Sequence, residues 1–98
     1  MKGLPLPDGL TPKGKTPVFD QDTLPAALCR EHALGPKRWG QLHILEGSVT
    51  FVDLLQGTEE ELAAPRVIVI EPESPHRLAL HGGNLRCRIE FFEERATP

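Results

Sequence analysis

Apolar runs in this chain are short and are cut off by prolines and glycines, which limits the folds that it can adopt. The clearest case is residues 68–77, where an apolar, β-branched run ends at Glu71 and is followed by Pro72 and Pro75. The next apolar run starts at His76. β-branched residues favour strands, and neither proline can lie inside a central strand. Glu71 and His76 are therefore expected at the two ends of one rigid turn that connects two strands.

The same pattern predicts a series of strands along the chain, at residues 27–32, 39–46, 48–55, 66–71, 76–80 and 85–92. Glu46 and Gly47 predict a tight turn that joins the second and third strands into an antiparallel hairpin. Residues 82–84 predict the turn between the last two strands, and residues 59–61 are expected in a solvated acidic loop. No stretch has a helical period, and several short strands at such spacing indicate a sandwich or a small barrel. The sequence therefore predicts an all-β fold.

Length and charge exclude several classes of protein. The 98 residues correspond to one domain, with a Pro/Gly-rich arm at 1–17 and a barrel domain at 18–98. A formal net charge of -3 argues against a nucleic-acid surface. We find no apolar run long enough to cross a bilayer and no signal peptide. Cys29 and Cys87 match neither a zinc knuckle nor a disulfide framework, so we expect reduced thiols in a cytoplasmic protein.

The four histidines are the main candidates for a functional site. His76 and His81 are five residues apart in the sequence, so they face opposite sides of a regular strand. We expect His81, beside a glycine turn, to face solvent. His43 shares a strand face with Trp39, and it either lines a cavity or is a half-buried histidine hydrogen-bonded within the sheet.

Two histidines and one carboxylate form the strongest candidate metal site. His32, Glu71 and His76 would suit zinc with an open position, or a facial iron site, because imidazole and carboxylate bind borderline divalent metals. Spacing alone does not distinguish this from a structural cluster. Glu90 is either a further ligand or the partner of an arginine in an ion pair, and we favour the ion pair.

Several segments resemble a known family when they are taken together. The runs at 24–32, 39–42, 45–48 and 70–72, followed by His76, resemble the small cupin-like domain of YeaR-type proteins and the N-terminal part of TehB-type tellurite-resistance proteins. The resemblance extends over residues 17–92. It implies a double-stranded β-helix, which is a cupin-like jelly-roll barrel with a metal site in its pocket, and a homodimer. It places His32 and His76 at cupin ligand positions. Arg30 stands where a further histidine is usual, and Glu71 is the candidate to replace the missing carboxylate.

Residues and resemblance together predict a metal-binding cupin-like protein that recognises a small molecule or an oxyanion in a tellurite-type or nitrosative stress response. His32, Glu71 and His76 would hold one divalent ion, with zinc preferred over iron, nickel or manganese. The predicted ligand pocket is completed by Arg30, Trp39, His43 and Glu90. Arg30 would orient an anion, and Trp39 is either a pocket wall or a core residue. The alternatives are a metal-dependent cupin enzyme, such as a dioxygenase or isomerase, and a structural or sensory module without chemistry. We expect no nucleic-acid or membrane partner.

Overall fold

The fold is built around one long strand, β3. The computed structural model describes residues 6–95. Its strands are β1 (Thr11–Lys15), β2 (Phe19–Asp20), β3 (Arg38–Asp53), β4 (Thr58–Ala63), β5 (Arg66–Ile70), β6 (His76–Ala79) and β7 (Leu85–Glu93). All are linked by antiparallel pairing into one seven-stranded sheet. Within these residues the sole helical element is a 3-10 turn at Ala26–Cys29. The prediction of an all-β fold is confirmed.

β3 contributes its two halves to different parts of the sheet. Its first half pairs with β7 on one side and β5 on the other. Its second half pairs with β4 and β6. β1 and β2 pair with the far side of β7. One continuous strand therefore connects two strand groups whose apolar side chains form a single core.

A bulge lets both halves of β3 bury side chains in that core. Side chains alternate between the two faces of a strand, and Leu42 and Ile44 are buried in the first half. In the second half the buried apolar positions include Val49 and Phe51, which have the other parity. The pairing of β3 with β7 shifts by one residue between Ile44 and Glu46. Such an insertion reverses which face each residue occupies, and it turns the second half of β3 towards the core.

Gly47 lies at this bend with a φ of 71°. Such a φ is readily available only to glycine. The predicted hairpin at Glu46 and Gly47 is therefore wrong, because these residues belong to one uninterrupted strand.

Two other local predictions are also wrong. Residues 27–32 were expected to form a strand, but Pro25 has a φ of -59° and its carbonyl accepts a bond from the N–H of Leu28 at 3.0 Å, which closes the 3-10 turn. The acidic residues 59–61 lie in β4 rather than in a loop, because Leu62 is fully buried and anchors that strand against β3.

The predicted arm at residues 1–17 contains the first strand of the sheet, since Thr11–Lys15 pairs with β7. Residues 1–5 of that arm, and residues 96–98 of the predicted barrel domain, lie outside the described residues. Among residues 6–95, no helix is long and apolar enough to cross a membrane. Cys29 and Cys87 are both free thiols.

Candidate functional site

The turn between β5 and β6 carries the chain from one half of the sheet to the other. β5 pairs with the first half of β3, whereas β6 pairs with the second half. Within the part of the chain that is described, β5 and β6 do not pair with each other, so residues 71–75 are not a hairpin turn. The N–H of Glu73 donates to the carbonyl of Leu34 at 2.8 Å. This bond holds the turn against the segment that contains His32.

His32 and His76 face each other across an isolated antiparallel bridge. The N–H of His32 donates to the carbonyl of His76 at 3.0 Å, and the reciprocal bond measures 2.9 Å. The ring centroids lie 4.2 Å apart in an edge-to-face arrangement. His76 also stacks on Phe51, with centroids 5.3 Å apart and planes inclined by 15°. Backbone pairing therefore brings the two imidazoles together.

Both rings hold the same hydrogen-bonded tautomer. The Nδ1–H of His32 donates to the carbonyl of Arg30, and that of His76 to the carbonyl of Ser74, each at 2.8 Å. A carbonyl oxygen can only accept, so the hydrogen must be on Nδ1. In a neutral ring Nε2 is then a hydrogen-bond acceptor.

The environment of His76 favours its neutral form. Burial has the largest effect and lowers the pKa of the imidazole. The hydrogen bond to Ser74 raises this pKa, His32 lowers it again, and the carboxylate of Asp53 raises it. Because burial dominates, His76 is predominantly a neutral acceptor near pH 7.

His76 forms part of a small cavity of about 50 Å³ between the edge of β5 and the end of β3. The lining is polar and aromatic on one side and apolar on the other, and consists of Phe51, Asp53, Leu55, Gln56, Val69, Ile70, Glu71, Ser74 and His76. Glu71 is exposed, whereas Asp53 is only 7% exposed. The predicted turn between β5 and β6 therefore forms one wall of this cavity.

Asp53 fixes the turn on the opposite wall. Its Oδ1 accepts bonds from the N–H groups of Leu55 at 3.1 Å and Gln56 at 3.0 Å. The N–H of Leu54 donates to the carbonyl of Pro75 at 3.0 Å. The turn after β3 is therefore tied both to its own aspartate and to the β5–β6 turn.

Arg30 and Trp39, both predicted in the pocket, lie outside this cavity lining. The side chain of Arg30 is exposed, and its carbonyl is the group that contacts His32. The indole N–H of Trp39 donates to Glu94 at 2.9 Å. Trp39 instead borders an open groove of about 380 Å³ formed with residues 7–10 and the two residues that follow β7.

His43 and Glu90, also predicted in the pocket, lie on neighbouring strands, β3 and β7, away from the cavity lining. His43 contacts Gln41 at 3.2 Å and Glu90 at 3.5 Å. Glu90 accepts a bond from Arg88, two residues earlier on the same strand, and this bond lowers the pKa of the Glu90 carboxyl. Desolvation and then Arg88 lower the pKa of His43. These contacts form an ion-pair network on the sheet surface.

Sequence reasoning missed Phe51 and Asp53, which are the residues that make the cavity. Their alternation with Val49 was visible, but a break at Gly47 placed them in a separate hairpin strand. The available signal was the position of Asp53 at the end of an apolar run, since an aspartate that is buried there needs hydrogen-bonding partners.

A comparison with known protein families matches residues 14–89 to a domain described as TehB-like. The chain belongs to the TehB-like domain family. Similar curated proteins are two from Haemophilus influenzae, strains 10810 and Rd, each named "Probable S-adenosyl-L-methionine-dependent methyltransferase TehB". Each is 27% identical over 81 residues, which cover 78% of this chain and 28% of the relative. The chain therefore spans less than a third of the length of these relatives.

Two solved structures resemble this chain. The crystal structure of TehB from Haemophilus influenzae matches with a TM-score of 0.79 and 25% identity, over 89% of this chain and 32% of that one. A crystal structure of a protein from E. coli strain K12 matches with a TM-score of 0.82 and 20% identity, over 97% and 92%. The second likeness shows the fold alone. The comparisons support the TehB part of the predicted resemblance and not the YeaR part.

The family assignment overturns the functions predicted from the sequence. A metal-binding cupin, a metal-dependent cupin enzyme and a module without chemistry are all wrong for a chain whose matched relatives are named as methyltransferases. The predicted divalent ion, zinc or another, is also wrong. Residues 6–95 contain no group of three His, Cys, Asp or Glu side chains positioned to hold an ion. The Nδ1–H groups of His32 and His76 donate to carbonyls, and the two rings pack edge to face.

The cofactor in the relatives' name is S-adenosyl-L-methionine, and the residues around His76 do not fit it. The cavity has a volume of about 50 Å³, whereas sites for molecules of this size usually occupy several hundred Å³. The cavity can admit one small chemical group and not a nucleoside.

Proposed function

We propose that this chain serves as the β domain of a TehB-like S-adenosyl-L-methionine-dependent methyltransferase and binds a small ligand in the His76 cavity. The observation that carries the proposal is the family match over residues 14–89, which corresponds to less than a third of the matched enzymes. Methyl transfer is assigned in this proposal to a methyltransferase domain that corresponds to the remaining part of those relatives.

The cavity supports a binding role for the domain. His76 is 3% exposed and presents an acceptor atom rather than an apolar surface. The lining combines polar side chains with the apolar Val69 and Ile70, and such a mixed lining is typical of sites for small ligands.

A chimera tests the proposal. This chain would replace the matching β domain of Haemophilus influenzae TehB, and survival of bacteria on potassium tellurite would report enzyme action, following the tellurite link of the family. We expect the chimera to support survival and a TehB that lacks its β domain to fail. His76→Ala and Glu71→Gln in the chimera should lower survival, whereas the surface change Glu46→Gln should not. Full survival without any β domain would refute the proposal.

Three further features belong to the same proposal. A double-stranded β-helix is supported by the long strand shared between two strand groups. A homodimer is supported by β5, which pairs only with β3 in the described chain and exposes Val67, because an open edge favours pairing with another strand. Light scattering would measure the mass of the dimer.

A cytoplasmic location is supported by the free thiols of Cys29 and Cys87.

A further inference from the structure

The outer edge of β5 is open. β5 pairs with β3 alone, and within residues 6–95 no backbone hydrogen bond outside this pairing involves residues 66–70. In an antiparallel pair, every second residue of an edge strand points its N–H and C=O groups away from the neighbouring strand. The outer edge of β5 therefore presents backbone donors and acceptors to which the described part of the chain offers no partner.

The other edges of the sheet carry features that discourage pairing with a further strand. β1 contains Pro12, which has no N–H, and its pairing with β7 shifts just after this residue. Its two lysines, Lys13 and Lys15, are exposed. β4 carries three consecutive glutamates at 59–61, and β2 and β6 have only two and four residues. Prolines, bulges, charged side chains and short length are the usual protection of edge strands.

β5 has none of these features. It contains four consecutive β-branched residues and no proline, and its register with β3 is regular throughout. Its one charged residue, Arg66, is at the first position and is paired with Glu60 at 2.9 Å. Val67 is 44% exposed. An edge strand of this composition favours pairing with another strand.

We propose that β5 of one copy of this chain pairs antiparallel with β5 of a second copy, with the two-fold axis at Ile68. We call this contact the β5–β5 interface. It rests on the homodimer of the proposed function and identifies where the two copies meet. The strand path β1–β7–β3–β5 of one copy then continues directly into that of the other.

The pattern of burial determines the register. Residues that lie opposite each other in an antiparallel pair share a face of the sheet. Ile68 and Ile70 belong to the core, whereas Val67 and Val69 alternate with them on the other face. An axis at Ile68 pairs core-facing residues with each other and uses all five residues of the strand. It also places residues with outward-pointing backbone groups opposite each other, so that both hydrogen bonds of each such pair can form.

Charge and apolar exposure agree with a second copy as the partner. In this register the two copies of Arg66 lie at opposite ends of the interface, each beside its own Glu60, so no like charges face each other. The exposed Val67 lies opposite Val69 of the partner subunit. Leu55, which is 68% exposed, borders the same edge because it lines the cavity together with Val69. A two-fold symmetric dimer requires such a self-complementary surface.

Sedimentation equilibrium of the purified chain and two lysine variants tests whether β5 forms the dimer contact. We expect a concentration-dependent dimer. Val67→Lys places a charge in the β5–β5 interface and should weaken dimerisation at least about tenfold, while the exposed position allows the chain to fold. Val18→Lys is the matched control, since Val18 is 49% exposed and lies between β1 and β2, and it should leave dimerisation unchanged. A chain that stays monomeric, or equal weakening by both variants, would overturn the proposal.

Cysteine cross-linking tests the register. The background variant is Cys29→Ser, in which Cys87 remains as a buried thiol. Chains with Val67→Cys are mixed with chains with Val69→Cys and are then oxidised. Directly opposed residues come close enough for a disulfide, so the mixture should form a covalent dimer that neither variant forms alone. In the unmodified chain, amide exchange of the outward-pointing residues among 66–70 should slow as protein concentration rises. A dimer with neither result contradicts the β5–β5 interface.

The outcomes separate this interface from the proposed function. If the chain dimerises without the mixed disulfide and without protection of β5, the interface is wrong and the homodimer stands. If β5 pairs as expected and the chimera needs no β domain, the proposed function is wrong and the interface stands. If the chain is monomeric and residues 66–70 become protected only in the TehB chimera, β5 pairs with the methyltransferase part and the second copy is the wrong partner.

Discussion

Replacing Gly47 by alanine should cost far more stability than replacing Gly57, although both glycines have nearly the same backbone conformation. Their φ values are 71° and 70°. An alanine in this region costs ~1–2 kcal/mol at either position. A Cβ at Gly57 would meet nothing within 4 Å, whereas a Cβ at Gly47 would lie 1.8 Å from the carbonyl oxygen of Asn84. The comparison therefore isolates the steric contact at the bend of β3.

The size of the difference follows from that contact. Ordinary contacts begin at 3.4 Å, so the Asn84 carbonyl would have to withdraw by about 1.6 Å. This displacement would break its bond from the N–H of Ser48, now 3.2 Å, and would disturb Leu85, which is 1% exposed. A lost hydrogen bond costs ~1 kcal/mol and overpacking a further ~1–3 kcal/mol. Gly47→Ala should thus lose roughly 3–6 kcal/mol, against ~1–2 kcal/mol for Gly57→Ala.

Urea unfolding followed by the fluorescence of Trp39, the single tryptophan, measures both variants. Domains of this kind have total stabilities of ~5–15 kcal/mol, so Gly47→Ala should unfold at much lower urea or fail to fold. A difference of less than ~1 kcal/mol between the variants, at the level of ordinary surface substitutions, would refute the reasoning. It would mean that the segment at 84–85 yields easily and that Gly47 is not required for the bend.

Three other outcomes are expected. The pKa of His76 is lowered in the folded state, so its contribution to stability is complete above the unfolded pKa of ~6.5. The free energy of unfolding should therefore decrease as the pH drops below that value. This decrease should be smaller in His76→Phe. Burial raises the pKa of Cys87 to about 11, so Ellman's reagent at pH 8 should modify Cys29 alone until denaturant is added. Asp53→Ala removes the acceptor of two turn amides and should cost ~1–3 kcal/mol, with faster hydrogen exchange there; unchanged exchange would contradict the role given to Asp53.

Strands with strong alternation could be predicted closely from the sequence. β5 and β7 begin at the predicted residues, Arg66 and Leu85, and each ends within one residue of the prediction. Their β-branched and apolar residues lie between clear proline and glycine signals, so propensity and burial favour the same structure.

The parts that could not be predicted depend on contacts between distant segments. Glu46 and Gly47 have the composition of a turn, but both pair with β7, and the pairing of β3 with β4 begins at the next residue, Ser48, so they remain within a strand. The 3-10 turn after Pro25 replaces an apparent strand because Leu28 packs on the core. Local propensity is a weak guide where such tertiary contacts compete with it.

For the site, the sequence identified the β5–β6 turn and its histidine, but not the wall across the cavity. Phe51 and Asp53 reach His76 because β6 pairs with the second half of β3, and that pairing has no local signature. The metal prediction was wrong: the matched relatives are named for S-adenosyl-L-methionine, and among residues 6–95 no three His, Cys, Asp or Glu side chains are placed to hold an ion together.

The position of β3 also determines how the domain can open. Four of the other strands pair directly with it, and the two remaining strands pair with β7, which pairs with β3. Neither strand group can detach as an independent foldon, because each contains part of the same covalent strand. Amide hydrogens along β3 should therefore exchange only through global opening and should all report one free energy, while the glycine turn at 82–83 exchanges freely. The bend in β3 directs side chains from both halves of the strand into one core, and this continuous strand makes the domain a single cooperative unit.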